Sequence, residues 1–351
     1  MELINATPLP ARVFVSKLFR DSDRIGLLLA KATYRLTAGG VELETQAPYP
    51  LFGEDQETEL GLLPRDDFPR RDDAFEVVLL GAAHAAAGHA VERRTVALSV
   101  GDERRELTVF GDRRWEGDGD THRIGPAEPF VRMPLTYERA FGGTVEVEID
   151  EEAFVPVSDP RNPRGRGFNP EPVARSLCEA LKAPAGYPRH APTRSLPNVE
   201  DPTALICTWE DSPDPAGWGA LPLASALQGM RSVSLPAEPQ PGTLPSLNFH
   251  DGVFHRAHPT WVIDRPELDA EVTLTGLSPS HEVVAFRLPQ LRVYADYVVG
   301  PRAGRCELEP HLLMLLPEVA RLYLVFRFAF AFDYPSRERS MRLRFTERAR
   351  S

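Results

Sequence analysis

The chain has 351 residues, which is enough to bury a sizeable core in one large β domain or in two smaller ones. Its 34 prolines outnumber its 25 glycines, and that much proline favours short strands and fixed loops over helices. The formal net charge of −11 disfavours nucleic-acid binding, because surfaces that bind phosphate backbones normally carry a positive balance.

Cysteine use and hydropathy indicate a soluble, cytoplasmic protein. The cysteines are few and far apart, which predicts neither a disulfide framework nor a zinc knuckle and suits a reducing compartment; they are Cys178, Cys207 and Cys306. The N-terminus lacks the basic region and the apolar run of a signal peptide. The most apolar stretch, 312–332, is interrupted by a proline and by charged residues, which argues against membrane insertion.

The first half of the chain predicts antiparallel β structure. After a loosely held leader, residues 1–12, alternation or compact apolar runs predict strands at 13–18, 25–36, 41–44, 76–81, 94–100, 105–110 and 145–149. In the second of these, Lys31, Thr33 and Arg35 alternate with apolar neighbours, which is typical of a half-buried strand. The segment 46–75 is rich in Pro, Asp and Glu and is expected to run over the surface.

The second half alternates loops with strands. A helix is predicted from Glu171-Pro172, and its buried face is expected to carry Val173, Leu177 and Leu181. Further predictions are strands at 205–209, 270–277 and 283–288 and a second short helix at 220–230. Alternate residues of 322–332 are leucine or phenylalanine, which predicts a long strand with an aromatic core face.

These elements predict a mainly β fold: antiparallel β-sandwich or barrel-like sheets with long Pro/Gly-rich loops and one or two short helices. A β-rich domain is expected over 13–333, followed by a charged C-terminal tail, 334–351. Within the β-rich region two sub-lobes are considered, 13–155 and 196–345, joined by a loop and helix segment, 156–195. The pattern leaves open whether the two halves share one core.

The densest group of special residue types lies between Leu107 and Gly143 and ends in Tyr137-Glu138-Arg139-Ala140-Phe141-Gly142-Gly143. Glu138 and Arg139 could be an acid/base pair with an arginine clamp for an anionic substrate. They could equally be a partly buried ion pair that holds a loop on the sheet, with the glycine pair turning the backbone at positive φ. The structural alternative is favoured, because no nucleophile, metal ligand or cofactor loop adjoins them in the sequence.

Two further patterns are weak. The glycines of Asn162–Phe168 are spaced somewhat like a phosphate-binding loop, but no buried strand precedes them and no Lys-Ser/Thr follows. A histidine group, His250, His255 and His258, has no familiar zinc spacing and no nearby cysteine. Loop or surface imidazoles are therefore favoured over a metal site.

Six motifs occur in one order: FGDRRW (110–115), MPLTYERAFGG (133–143), NPRGRGF (162–168), LPNVEDP (196–202), PAGWG (215–219) and AEVTLTGL…FRLP (270–289). With this order, over about 13–332, the chain resembles the bacterial domain-of-unknown-function 2169 (DUF2169) family. That family is similar in context to adaptor, or chaperone, proteins of the type VI secretion system. The resemblance implies a non-enzymatic adaptor that binds an effector toxin or its PAAR-containing region in the cytoplasm and assists its loading onto the VgrG spike. It brings no catalytic, cofactor-binding or metal-binding residues.

The motifs contain ten candidates for a structural or partner-binding role: Asp112, Arg113, Trp115, Tyr137, Glu138, Arg139, Phe141, Asn198, Glu200 and Trp218. A chaperone-like binder needs apolar or aromatic anchors on rigid loops. The aromatic candidates, each with core filling as the competing interpretation, are Trp115, Tyr137, Phe141, Trp218 and Trp261.

An enzyme is the alternative. It would be a hydrolase or carbohydrate-active β-sandwich protein that uses Glu138 with Asp112 or Glu200, its two carboxylates roughly 5–10 Å apart across a pocket. If Glu138 and Arg139 instead form a structural pair, replacing either by alanine is expected mainly to lower stability, because the partner charge is orphaned.

Overall fold

The computed structural model describes residues 1–17, 24–38, 40–67, 73–117, 122–190, 194–223, 225–228, 254–299, 302–331 and 339–347. Strands dominate. In chain order they are β1 (Glu2–Asn5), β2 (Ala11–Lys17), β3 (Arg24–Thr37), β4 (Gly40–Leu43), β5 (Gln56–Thr58), β6 (Gly61–Leu63), β7 (Phe75–Leu79), β8 (Ala82–His84), β9 (Arg93–Val100), β10 (Glu103–Phe110), β11 (Trp115–Glu116), β12 (Arg123–Ile124), β13 (Arg132–Pro134), β14 (Phe141–Gly142), β15 (Thr144–Glu148), β16 (Phe154–Ser158), β17 (Arg166–Gly167), β18 (Arg189–His190), β19 (Val199–Glu200), β20 (Val262–Ile263), β21 (Glu271–Thr275), β22 (Val283–Arg287), β23 (Leu291–Val299), β24 (Arg302–Leu316), β25 (Arg321–Ala331) and β26 (Arg339–Glu347).

Helix is sparse among the described residues. The α-helix there, α1, is Glu171–Leu181, and single 3-10 turns occupy Ala86–Gly88, Tyr137–Arg139, Ala226–Gln228, Pro259–Trp261 and Pro317–Val319. In the part of the chain that the structure describes, no helix is both long and apolar enough to cross a membrane.

The larger sheet has ten strands and curves until it nearly closes as a barrel. Its main path is β1-β26-β23-β24-β25-β3-β2, with β4 beside β3 and β7 with β20 beside β24. Pairing is antiparallel except between β1 and β26 and between β7 and β24. β1 and β2, at the two ends of the path, come into contact.

Strand β24 has different neighbours in its two halves. Its first half pairs with β23 and its second half with β7, while β25 runs along the opposite edge of the second half. The register with β25 shifts between Pro310 and Leu312. A proline has no N–H to give to a ladder, so within sheets it is tolerated at such bulges.

A second, five-stranded antiparallel sheet has the order β19-β10-β9-β21-β22. One contiguous core contains side chains of both sheets, among them Val77 of β7, Leu98 of β9, Leu274 of β21 and Leu324 of β25. The sub-lobes considered from the sequence therefore share sheets as well as core: β3 pairs with β25, and β9 pairs with β21.

Most strand predictions are confirmed, including the hairpins β9–β10 and β21–β22. The ends of the chain were predicted wrongly, because the expected leader contains β1 and the expected tail contains β26, which pair in register. No strand forms at 205–209, and the described residues of 220–230 hold a 3-10 turn instead of a longer helix. Local patterns did not reveal these pairings because each partner lies far away in the chain.

Burial of β3 and its neighbours also departs from expectation. Lys31 and Thr33, predicted on a solvated face, are completely buried. The Lys31 ammonium lies 2.7 Å from an oxygen of Asp66, and the rings of Phe52 and Tyr323 lie on it, with centroids 4.1 and 4.3 Å away. The segment 46–75, expected on the surface, thus sends a carboxylate and a ring into the core. Burial of the lysine is tolerable because its charge is paired.

In strand β25 and helix α1, too, burial differs from what the hydrophobic periodicity predicted. Both faces of β25 are covered, since Tyr323 and Val325 are as buried as Leu322 and Leu324. Helix α1 begins at Glu171, as predicted, but of the predicted face only Leu177 packs inward, and it is partly buried. Its buried residues are Ala174 and Cys178, whereas Val173 and Leu181 are about half exposed at 49% and 54%. The small side chain of Ala174 lets the helix lie close to Val147, Val157 and Phe168, and the four residues form a small hydrophobic cluster of their own.

Candidate functional site

The motifs that are separated along the chain meet at one junction of loops. The end of β10 pairs with β19, the short β14 pairs in parallel with β17, and Ala140 forms a bridge with Val199. The 215–219 loop lies over Tyr137, whose ring would be 3.0 Å from a Cβ placed on Gly217. Four sequence motifs therefore close into a single structure, called the motif junction below: residues 110–115, 137–143, 162–168 and 196–200, with 215–219 against it.

Asn198 is the buried centre of the motif junction. Its side-chain amide donates to the Phe110 carbonyl oxygen at 3.1 Å and to Asp112 Oδ1 at 3.0 Å, and its Oδ1 accepts from Arg139 Nη1 at 3.1 Å. Its main chain adds one bond to Arg139 O and one from Phe110 N, each 2.7 Å. Because these groups are satisfied only in one arrangement, Asn198 fixes β10 against the Tyr137–Arg139 turn.

A charged group lies on the outer side of this centre. Asp112, whose side chain is 55% exposed, has its Oδ1 3.6 Å from Arg139 Nη1 and 3.5 Å from Arg166 Nη1. Arg166 also donates from Nε to the Glu138 carbonyl oxygen at 3.0 Å. Burial, together with the nearby Arg139 charge, lowers the pKa of Arg166. These guanidinium groups tie the 137–139 turn to 162–168 through the main chain as well as through charge.

The predicted Glu138–Arg139 pair is wrong. The Glu138 carboxylate lies 3.0 Å from Arg164, which also pairs with Glu57 at 2.7 Å. The Glu138 and Arg164 side chains are 42% and 56% exposed, so solvent screens this contact. Adjacent residues of a 3-10 turn point in different directions, which is why Glu138 and Arg139 find different partners.

The buried ion pair of the motif junction is Arg113 with Glu200. The two side chains are in direct contact, only 6% and 1% exposed. The other Glu200 oxygen accepts from the main-chain N–H of Ile206 at 2.9 Å, and Arg113 also donates to Pro197 O at 3.1 Å. The Arg113 guanidinium lies 3.6 Å from the centre of the Phe110 ring. Burial raises the pKa of Glu200, although the charge of Arg113 opposes that shift.

The aromatic candidates fill core rather than project from loops. Those that are buried are Trp115, Phe141, Trp218 and Trp261. Trp218 meets Trp261 edge to face, with centroids 6.3 Å apart. Tyr137 is partly buried, its hydroxyl lies 3.5 Å from Gly219 O, and burial raises its pKa far above the ordinary value. Of the two interpretations considered for these rings, core filling is the one that the structure supports, because their area is buried in internal packing.

The glycine pair turns at positive φ, as predicted, with +135° at Gly142 and +124° at Gly143. A Cβ on Gly142 would lie 2.2 Å from the carbonyl oxygen of Asn162. The Asn162 side chain in turn donates to the carbonyl oxygens of Tyr137 and Phe141, at 2.7 and 2.9 Å. The pair thus permits the close approach of two backbones.

Asn162, Arg164 and Arg166 were missed as site residues. All three belong to NPRGRGF, which the sequence analysis considered as a weak phosphate-binding loop and as one of the six ordered motifs, without assigning a role to its residues. The available signal was the mixture of two arginines and three small or amide residues in a loop, which is suited to bonding main-chain carbonyl groups elsewhere. Nothing local showed which carbonyl groups those would be.

The histidines do not converge on a metal site in the described part of the chain. Among the described residues, no group of three His, Cys, Asp or Glu side chains is arranged to hold a metal ion. His255 is buried, and the His258 ring lies 3.1 Å from Pro215 O through Nε2 and 2.8 Å from Thr260 Oγ1 through Nδ1. His250 lies outside the described residues.

Comparison with known proteins identifies the family. No curated protein and no solved structure matches the chain. The model of the family described as "Uncharacterized protein conserved in bacteria (DUF2169)" matches residues 21–327, which includes all six motifs and the whole motif junction. The chain therefore belongs to the DUF2169 family.

Proposed function

We propose that the chain is a non-enzymatic adaptor, or chaperone, of the type VI secretion system. It binds an effector toxin or its PAAR-containing region in the cytoplasm and assists loading onto the VgrG spike. The observation that carries the proposal is membership of the DUF2169 family, with the motifs in an order that resembles proteins of that context.

The geometry of the motif junction agrees with a binding role. Asn198 and the Arg113–Glu200 pair are buried and make several directed contacts, so the loops they join form a rigid frame. A binder gains affinity when its surface is ordered before the partner arrives, because less conformational entropy is lost on association. In this interpretation the signature residues organise the protein that the partner meets, and the partner contacts exposed side chains elsewhere.

No contact among the described residues favours the enzyme alternative. The carboxylates considered for it are each engaged: Glu200 with Arg113 and the Ile206 N–H, Asp112 with Asn198, and Glu138 with Arg164. The enzyme therefore enters only as an outcome of the experiment below.

The test is affinity capture of the tagged protein from its native host, followed by mass spectrometry. Recovery of a PAAR, spike or toxin protein at near-equal stoichiometry is the expected result. An unrelated protein of similar acidic charge, captured in parallel, controls for ionic association. A folded bait that recovers none of these partners, and none of the cognate candidates on co-expression, overturns the adaptor proposal. A substrate screen comparing wild type with Glu138→Gln would then be justified.

A further inference from the structure

The outer face of strands β26, β23 and β24 is an open polar surface. Along β23 the residues Leu291, Val293 and Ala295 point into the core, as do Met341 and Leu343 on β26. The alternate residues face outward. The name basic face is used below for eight of these outward residues around Tyr294: Arg292, Tyr294, Asp296, Arg305, Glu307, Arg342, Arg344 and Thr346. Val298, Ala303, Glu309 and Ser340 also face outward beside them.

The basic face carries four arginines and two acids on a chain whose formal net charge is −11. Asp296 is already engaged by two of the arginines, since its oxygens lie 2.7 Å from Arg305 and 3.3 Å from Arg344. Glu307 is 3.9 Å from Arg292. Because both acids already have guanidinium partners, the face keeps a net excess of two positive charges. The nearest other acid on β24, Glu309, is held by Arg265 at 2.6 Å.

This surface is a groove with an aromatic floor. A depression of about 520 Å³ is lined by Arg292, Tyr294, Arg305, Glu307 and Thr346. Strand register places Tyr294 directly between Arg344 and Glu307, and the Arg305 guanidinium lies 4.4 Å from its ring centre. The Arg292 side chain is 68% exposed. An arginine guanidinium can bind a carboxylate through two parallel hydrogen bonds. An aromatic ring beside it can pack against the methylene groups of the Asp or Glu side chain that carries the carboxylate.

We propose that the basic face docks an acidic polypeptide segment rich in Asp or Glu; for the adaptor, this is a segment of the secreted cargo. The inference therefore rests on the proposed function for the identity of the partner, although the recognition chemistry does not. A few peptide residues match the size of the groove. A nucleic acid is less suitable, because its extended charge would also meet the acidic remainder of the protein.

The basic face crosses the boundary of the region that the family model covers. β26, which supplies Arg342, Arg344 and Thr346, lies beyond residues 21–327, the part of the chain that the family model covers. β23 and β24 lie wholly within it. The groove thus combines β23 and β24, inside the matched region, with β26, which lies outside it and between β1 and β23 in the sheet.

The first test measures binding of a fluorescent octaglutamate peptide by anisotropy with the full chain. Wild type is expected to bind it, more weakly as salt rises, because exposed charges are screened. Arg292→Glu/Arg344→Glu is expected to weaken binding by at least about tenfold. The matched control is Arg123→Glu/Arg175→Glu, which makes the same change in net charge at residues with 77% and 66% exposed side chains and should retain binding. Arg292→Gln/Arg344→Gln, which removes the charges without reversal, serves if the first variant fails to fold.

The outcomes separate this inference from the proposed function. No peptide binding by wild type, equal loss in both reversal variants, or tighter binding of an oligonucleotide of equal charge would each overturn the docking inference. Capture of secretion partners by wild type and by the folded basic-face variant alike would overturn it too, while leaving the adaptor proposal intact. Peptide binding that depends on the basic face, without capture of any secretion partner, supports the inference and contradicts the adaptor role. Partner capture lost only with the basic face supports both.

Discussion

Replacing Glu200 by glutamine is expected to destabilise the protein far more than the same change at Glu138. Glutamine keeps the size of the side chain and an oxygen for the Ile206 N–H, but it presents a neutral amide to the buried Arg113 guanidinium. Breaking a buried ion pair by neutralising one partner typically costs about 3–5 kcal/mol. Arg113 retains the Pro197 carbonyl at 3.1 Å and the Phe110 ring, so a value near the lower limit, about 3 kcal/mol, is expected.

Glu138→Gln is the matched control. Its ion pair with Arg164 is exposed, and such pairs contribute about 0–1 kcal/mol. The sequence predicted that a substitution at Glu138 or Arg139 would leave an unpaired charge that lowers stability. The structure instead predicts this effect at the Arg113–Glu200 pair. The free energy of unfolding should be measured by urea denaturation, with m-values compared to verify that each variant unfolds in the same way.

Two results would refute this reasoning. One is a loss of about 1 kcal/mol or less for Glu200→Gln, indistinguishable from Glu138→Gln. The other is an Arg113→Met/Glu200→Gln double variant whose loss in the free energy of unfolding exceeds the sum of the losses in the two single variants. Removing both charges should instead restore part of the loss, because no charge is then left buried and unpaired.

Three further predictions concern the loops. Gly142→Ala should lower the free energy of unfolding by about 2 kcal/mol or more, because φ is +135° and the new Cβ would be 2.2 Å from a backbone oxygen. In the same urea titration the control Gly53→Ala, whose new Cβ would have no neighbour within 4 Å, should change that free energy by under about 0.5 kcal/mol. Asn198→Ala should cost about 2 kcal/mol by leaving buried polar partners unsatisfied, and a melting temperature equal to wild type would contradict that account. Burial lowers the pKa of His258, so the neutral ring contributes stability that is present above the ordinary imidazole pKa of about 6.5 and is lost as pH falls. Between pH 7.5 and 5.5 the melting temperature should therefore fall more for wild type than for His258→Gln, and an equal fall in both would exclude this role.

Much of the fold could be predicted from local pattern. Period-two alternation identified the hairpins β9–β10 and β21–β22, since one face of each strand packs on the core and the turn residues lie between them. The start of α1 followed from Pro172, which is favoured in the first turn of a helix. The requirement for positive φ at Gly142 and Gly143 was also visible, because glycine pairs in dense motifs mark close backbone approach.

The candidate site was located in the sequence but its contacts were not. The stretch 107–143 does lie at the junction of the other motifs, yet Glu138 pairs with Arg164 and the buried pair is Arg113 with Glu200. Each partner is distant in sequence, so no spacing rule connects them. The basic face was missed for the same reason: its arginines lie on separate strands, and only the pairing of β23 with β24 and β26 places them side by side.

The sequence by itself determined the β class, most strand positions and the family, because alternation, turn residues and motif order are properties of the chain read locally. Only the tertiary structure decided which faces are covered. An alternating strand has one apolar face in any context, but Lys31 and Tyr323 are buried because a second layer and the 46–75 segment cover the other face. It also joined β1 to β26 across almost the whole chain. Such contacts depend on the free energy of packing residues that are far apart in sequence, which no local pattern encodes.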